Sequence, residues 1–581
     1  MIAYRSKKAG GAQLYVMPAE RPRILHGSGS GVEGRYRPLT KIPGGVGGGP
    51  VWSPNGKWIA FTAPPEQELT GTKRITRPVF QFDRLGDLPA EAQEIYIVPS
   101  EGGDPVRLTD DEGVNTVLGW SPESRRLLYL STLAPDDDPL DTNLKIVDLD
   151  GRSYRLYSNW GRILGGAWLR DGERLLWVGS PASRQLGCKN DLWLGSVHEI
   201  PPRCLTEDLE FGVGGLITYD MPVSWERDPV KFLLSPDGRS AYVTVQKGGR
   251  LPIYRIALNG KPSCELLIDA PRTCILESLV DHYLLYSSST LHSPSDLGLL
   301  ELDLGRETQL TDLNGEWRSS RLLPSTKKFS VRRPDGNTVE SWLLIPPDGN
   351  PPYPTVLNIH GGPHEAYGER FVFDFQLLAG AGYAVLFANP RGSTGYGDLF
   401  STEIHGNWGG QDYEDLMAVV DEAVALGAAD PDRLGVYGLS YGGYMSCWIV
   451  GHTNRFKAAV AENPLTDWTS FYGTSDIGPP FAEAQLGGKP HEIPETYWER
   501  SPVAYAHRCK TPVLLLVSDE DRRCPPGQSE QFYIGLHAAG CKVEMVRFPG
   551  AAHTASWDGP LMVRQAQNEA LLGWMDAHLK E

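Results

Sequence analysis

Hydrophobic positions fall into two regimes along this chain. Through the first half they alternate with polar ones in short runs broken by Gly, Pro, Asn and Asp, the period-two pattern of half-buried strands. Four segments repeat one block: Val51–Phe61 (VWSPNGKWIAF), Gly119–Tyr129 (GWSPESRRLLY), Ala167–Trp177 (AWLRDGERLLW) and Leu233–Val243 (LLSPDGRSAYV). Asn-Gly and Asp-Gly between apolar runs predict tight hairpin turns, because these residues tolerate positive φ. A second strand pair follows each block, as in Glu94–Val98 running to Val106–Thr109, and similar tails recur at Leu144–Asp148, Asp191–Leu194, Ile253–Ile256 and Leu299–Leu302. The anchors Trp52, Trp120, Trp168 and Leu234 are 68, 48 and 66 residues apart. A four-stranded β-propeller blade takes about 40–50 residues, so the longer spacings are read as holding insertions. One insertion, Pro64–Gln93, carries Lys73, Arg74, Arg77 and Arg84 and is read as a solvated charged hairpin. Recurrence of the whole block, and not of the turn alone, favours a propeller over a β-sandwich. Six units are counted, the first starting mid-blade, and a seventh is sought near Ser319–Val331, giving six to seven blades.

From about Lys327 the period changes. Apolar runs at Thr355–Ile359, Ala384–Phe387, Leu434–Val436, Ala458–Val460 and Val513–Val517 read as buried strands, separated by helical patterns such as Tyr413–Leu426 and Tyr444–Val450. Strands alternating with helices predict an α/β domain around a mostly parallel sheet. The expected organisation is a β-propeller over residues 1–320 and an α/β-hydrolase domain over 321–581.

Composition narrows the function. The chain has 581 residues with 55 Lys plus Arg against 72 Asp plus Glu, a net charge of −17, which argues against a protein that grips nucleic acid. No uncharged apolar run approaches the roughly 20 residues that span a bilayer, and the first residues hold no signal-peptide core. The 8 cysteines are scattered without a CxxC pair, which reads as reduced thiols in a cytoplasmic protein with no metal and no cofactor.

The chemistry concentrates in the second half. Gly438-Leu-Ser-Tyr-Gly442 follows a strand and precedes a helix, the setting of a nucleophile elbow that exposes the Ser440 hydroxyl. A serine needs a base, and the base an orienting carboxylate, both expected after later strands. His553 stands just past the strand Val543–Phe548, and Asp519, Glu520 and Asp521 all follow the strand Val513–Val517 as candidates for the carboxylate. The N–H of Tyr441 is one expected oxyanion donor, and the loop His360-Gly-Gly-Pro-His364 is expected to supply the other.

With these residues in view the chain resembles the prolyl oligopeptidase family of serine peptidases over nearly its full length, nearest its acylaminoacyl-peptidase and oligopeptidase branch. The resemblance rests on WSPNGKW, WSPESRR, HGGPH, NPRGSTGYG (Asn389–Gly397), HGNWGGQDYED (His405–Asp415), GLSYGGYMS and EDRRCP, which are specific together. It selects Asp521 as the triad carboxylate, implies that Arg523 binds a substrate carbonyl, and makes Gly362 the second oxyanion donor. The implied activity is hydrolysis of N-acylated peptides or oligopeptides through an acyl-enzyme, with the propeller limiting access to small substrates. A homo-oligomer is left open. Two departures stand out: the chain begins mid-blade, and no Glu-Glu dipeptide occurs, where the dipeptidyl-peptidase branch holds a free α-amine with adjacent glutamates. The alternative enzyme is a carboxylesterase, for which a backbone-binding arginine has no use; a decayed scaffold is disfavoured because no triad member is missing.

Overall fold

The computed structural model describes residues 1–9, 11–18, 36–65, 72, 74–88, 92–134, 138, 140–157, 160–215, 217–221 and 232–580. Contacts divide the chain into two compact units, one of Met1–Ser183 with Leu192–Cys204, the other of Arg184–Asp191 with Leu205–Glu581. Among the described residues the first holds a three-stranded sheet and three four-stranded antiparallel sheets, all meanders of consecutive strands except that of Gly48–Arg107, which a separate two-stranded hairpin interrupts. The second begins with two more such sheets, Leu233–Ile268 and Thr273–Gln309. The 64–93 insertion includes a two-residue hairpin, Gln81–Phe82 with Gly86–Asp87; Lys73 lies outside the described residues.

The repeated block has a physical cause. Trp52 pairs with Ile59 and Trp120 with Leu127, so the connection is a six-residue loop and not the tight turn expected from Asn-Gly. In each loop the serine closes the turn: Ser53, Ser121 and Ser235 accept at Oγ from the N–H groups of Trp58, Arg126 and Ser240 at 2.9, 3.0 and 2.9 Å. Where Leu169 replaces the serine, Asp171 Oδ1 accepts from Arg174 N–H at 2.8 Å. The third loop residue after the serine takes positive φ, 70° at Gly56 and 60° at Ser124.

Residues Ser319–Val331 are not a seventh blade. Gly315–Ser319 is a short helix, and Ser325–Arg332 pairs along its whole length with Thr338–Ile345, so it opens the second kind of sheet. Five of the eight positions of that strand are exposed, as befits an edge strand. The sheet has eight strands: β1 (Ser325–Arg332), β2 (Thr338–Ile345), β3 (Tyr353–Ile359), β4 (Ala384–Asn389), β5 (Ala429–Leu439), β6 (Ala458–Glu462), β7 (Val513–Ser518) and β8 (Val543–Phe548). Their order is β1-β2-β4-β3-β5-β6-β7-β8, antiparallel at the first edge and parallel from β4 to β8. This is the α/β-hydrolase arrangement. β3, β4, β6 and β7 are buried along their whole length because helices cover both faces. Leu571, Trp574, Met575 and Leu579 of the final helix, Leu561–Leu579, pack into the same core as Val356, Phe387 and Val460. Among the described residues no helix is long and apolar enough to cross a membrane.

Candidate active site

The carboxyl ends of β3, β5, β7 and β8 carry the residues singled out above, as parallel sheets bring their loops to one edge. Ser440 lies between β5 and the helix Tyr441–His452, with φ 61° and ψ −115°. That conformation is held by backbone bonds: Ser440 N–H donates to Glu462 O at 3.0 Å, and Tyr444 N–H donates to Ser440 O at 2.8 Å. The flanking glycines are required by close approach. A Cβ on Gly438 would lie 2.5 Å from Gly442 C, and one on Gly442 would lie 2.1 Å from Ile359 O. Any side chain there pushes the elbow off β3.

His553 and Asp521 meet. His553 Nδ1 is 2.7 Å from Asp521 Oδ2, and both residues are buried. Asp521 Oδ1 accepts from the N–H groups of Arg523 and Cys524, each at 2.8 Å, so the carboxylate cannot turn. Its neighbours go elsewhere. Asp519 pairs with Arg547 at 2.6 Å near the surface, and Glu520 donates its N–H to Ala551 O at 2.8 Å. Cys524, on the same loop, is buried, and burial pushes its thiol well up, so it stays protonated.

The β3 loop lies against Ser440. A Cβ on Gly361 would stand 3.6 Å from Leu439 O and 3.8 Å from Ser440 Cβ. The N–H groups of Gly362 and Tyr441 have no acceptor among the described residues. Gly362 has φ 108°, and a Cβ there would come 2.6 Å from His364 N, so only glycine fits. His360 anchors the loop, sharing hydrogen bonds with Gly361 O at 2.7 Å and Ser393 Oγ at 2.9 Å, and burial pushes its pKa down to about 4. The unfolded imidazole titrates near 6.5. The native state thus refuses a proton that the unfolded chain takes up, and stability is lost as pH falls from about 6.5 towards 4. His360→Gln should flatten the dependence of urea-unfolding free energy on pH in that window by up to about 1.4 kcal/mol per pH unit. An unchanged slope would assign the acid sensitivity to other groups.

Arg523 lies beside the dyad, its Nε 2.8 Å from Asp476 Oδ1 and its Nη2 3.2 Å from Oδ2. Asp476 is fully buried, while the guanidinium remains 30% exposed. Asp476 was not visible to sequence reasoning, and neither was Asn463. Asn463 Nδ2 donates to His553 O at 2.7 Å and to Ser518 Oγ at 3.1 Å, tying the His553 loop to β7. Asn at positive φ just after a strand was the available sign. The other motifs are supports: Arg391 forms a bidentate pair with Asp415, and Asp412 Oδ2 accepts from the Tyr441 hydroxyl at 2.8 Å. Among the described residues no cluster of His, Cys, Asp and Glu is arranged to hold a metal ion.

A family model described as "Prolyl oligopeptidase family" matches residues 369–581. Uncharacterized peptidase YuxL of Bacillus subtilis is 32% identical over 100% of this chain and 88% of its own length. The acylamino-acid-releasing enzyme of Rattus norvegicus is 31% identical over 41% of this chain and 34% of its own. Among solved structures, Pyrococcus horikoshii acylaminoacyl peptidase superposes with a TM-score of 0.82 at 22% identity, covering 100% of this chain and 87% of that one, a likeness of fold.

Proposed function

We propose that this chain, a serine peptidase that belongs to the prolyl oligopeptidase family and is similar to acylaminoacyl peptidases, hydrolyses short peptides with Ser440 as nucleophile, His553 as base and Asp521 as its orienting carboxylate. The observation that carries the assignment is the 2.7 Å bond between His553 and Asp521 on the two loops that follow β7 and β8, with Ser440 at the strained elbow between them and β3. Ser440 Oγ attacks the scissile carbonyl as His553 takes its proton; His553 returns that proton to the leaving amine, and water then releases the acyl group by the same steps. The unpaired N–H groups of Tyr441 and Gly362 receive the oxyanion. In the same reading the six amino-terminal sheets are the blades of a propeller that admits short peptides.

Arg523 distinguishes a peptidase from an esterase. Held by Asp476, its guanidinium keeps a fixed direction and presents donors to a substrate carbonyl. Loss of a charge-assisted hydrogen bond costs about 1.5–3 kcal/mol. Arg523→Ala should therefore lower kcat/KM for a peptide by about 10–150-fold and for a p-nitrophenyl ester much less. Using both substrates on one variant cancels any common loss from stranding Asp476. Equal losses would favour a carboxylesterase.

A further inference from the structure

The loop after β3 carries a carboxyl group for which the triad has no use. Glu365 is half-buried, and its Oε2 accepts one hydrogen bond, from Thr218 Oγ1 at 3.1 Å. The loop is pinned around it: Thr394 N–H donates to Glu365 O at 3.0 Å, and Thr218 N–H donates to Ala366 O at 2.8 Å. The position a Cβ would take on Gly361 lies 3.4 Å from Glu365 Oε2 and 3.8 Å from Ser440 Cβ. The carboxyl group and the Ser440 side chain therefore both come within van der Waals contact of one point beside Gly361.

Some buried acids in this unit pair with cations and others take only neutral donors. Asp476 pairs with Arg523 and Asp415 with Arg391, while Glu462 accepts from the Tyr437 hydroxyl at 2.9 Å and Gln567 Nε2 at 2.9 Å. Glu365 has no lysine or arginine partner among the described residues; His553 is the one basic group that acts on it, and burial raises its pKa. A partly buried carboxyl group with no cation beside it is costly to ionise unless a ligand supplies one.

We infer that Glu365 receives the free α-ammonium group of the residue that acylates Ser440, so that the preferred substrates are short peptides with unblocked amino termini. The inference rests on Ser440 being the nucleophile. The α-nitrogen is two bonds from the carbonyl carbon under attack, which matches a carboxylate placed beside the serine and not one a full residue away, about 3.3–3.6 Å further along an extended chain. An ammonium group offers three donors and a charge to Glu365. An acetylated nitrogen offers one donor and brings a carbonyl oxygen towards the carboxylate. The absence of a Glu-Glu pair is then no argument against free termini, since a single glutamate on the oxyanion loop does the recognition.

The test compares aminoacyl p-nitroanilides of alanine, leucine and phenylalanine with their N-acetylated forms, on the full chain and on Glu365→Gln, with fluorophosphonate labelling of Ser440 followed in parallel. Wild type should favour the free amines. Glu365→Gln, which keeps the side-chain shape and the contact with Thr218, should reduce the free-to-acetylated ratio of kcat/KM by about 10–150-fold with labelling retained. A wild-type preference for acetylated substrates, or an unchanged ratio in the labelled variant, overturns the role of Glu365 and leaves the peptidase reading in place. Failure of the wild type to label at Ser440 overturns the nucleophile, and this subsite with it.

Discussion

Ser440→Ala should reduce hydrolysis of a short peptide by about 10⁶-fold, because nucleophile and base act as a unit and loss of either removes nearly the whole effect. The fold should survive. The elbow at Ser440 is held by its own N–H and C=O and by Gly438 and Gly442, and the side chain makes no capping bond to the helix it precedes. Alanine meets the same positive φ as serine, so no new strain enters. The measurement is kcat/KM on a peptide together with the thermal unfolding midpoint of both proteins. Retention of a tenth of the wild-type rate by a folded variant would remove Ser440 from the chemistry.

Asp521→Asn should cost on the order of 10⁴-fold, and Asp519→Asn far less. Oδ1 of Asp521 already accepts two N–H groups, from Arg523 and Cys524. An asparagine must keep its carbonyl oxygen on that side and turn its amide nitrogen towards His553 Nδ1. The ring then accepts at Nδ1 and carries its proton on the nitrogen that should take one from Ser440. Asp519 makes a surface pair with Arg547, worth about 0–1 kcal/mol of stability and no catalysis. Steady-state kinetics of the two variants on one peptide decide the ranking, and the reverse order would move the triad carboxylate to Asp519.

How much of this was legible before any coordinates depended on the range of the interaction. The repeated Trp-Ser-Pro block is local: the serine hydroxyl bonds an N–H five residues on, so the loop is written in consecutive residues. The length of the turn is less legible, because Asn-Gly announces positive φ but does not say that serine closes a wider loop. Ser319–Val331 was ambiguous since an alternating edge strand looks the same in a blade as in an open sheet, and only its pairing with Thr338–Ile345 decides.

For the site, the sequence alone determined the elements that must lie next to one another along the chain. These are Ser440 between strand and helix with glycines around it, His553 past the last strand, and three acids past the strand before it. Tertiary structure decided everything that depends on which side chain reaches which. Asp521 and not Asp519 faces His553, Asp476 holds Arg523 from 47 residues away, and Asn463 fastens the His553 loop from 90. Glu365 looks like any loop glutamate until the fold brings Thr218 to its oxygen from 147 residues away and supplies no cation. The reason is physical. Periodicity and turn chemistry act through neighbours in the chain, whereas a carboxylate's role is set by its burial and its partners, and both are made only when distant strands align in one sheet.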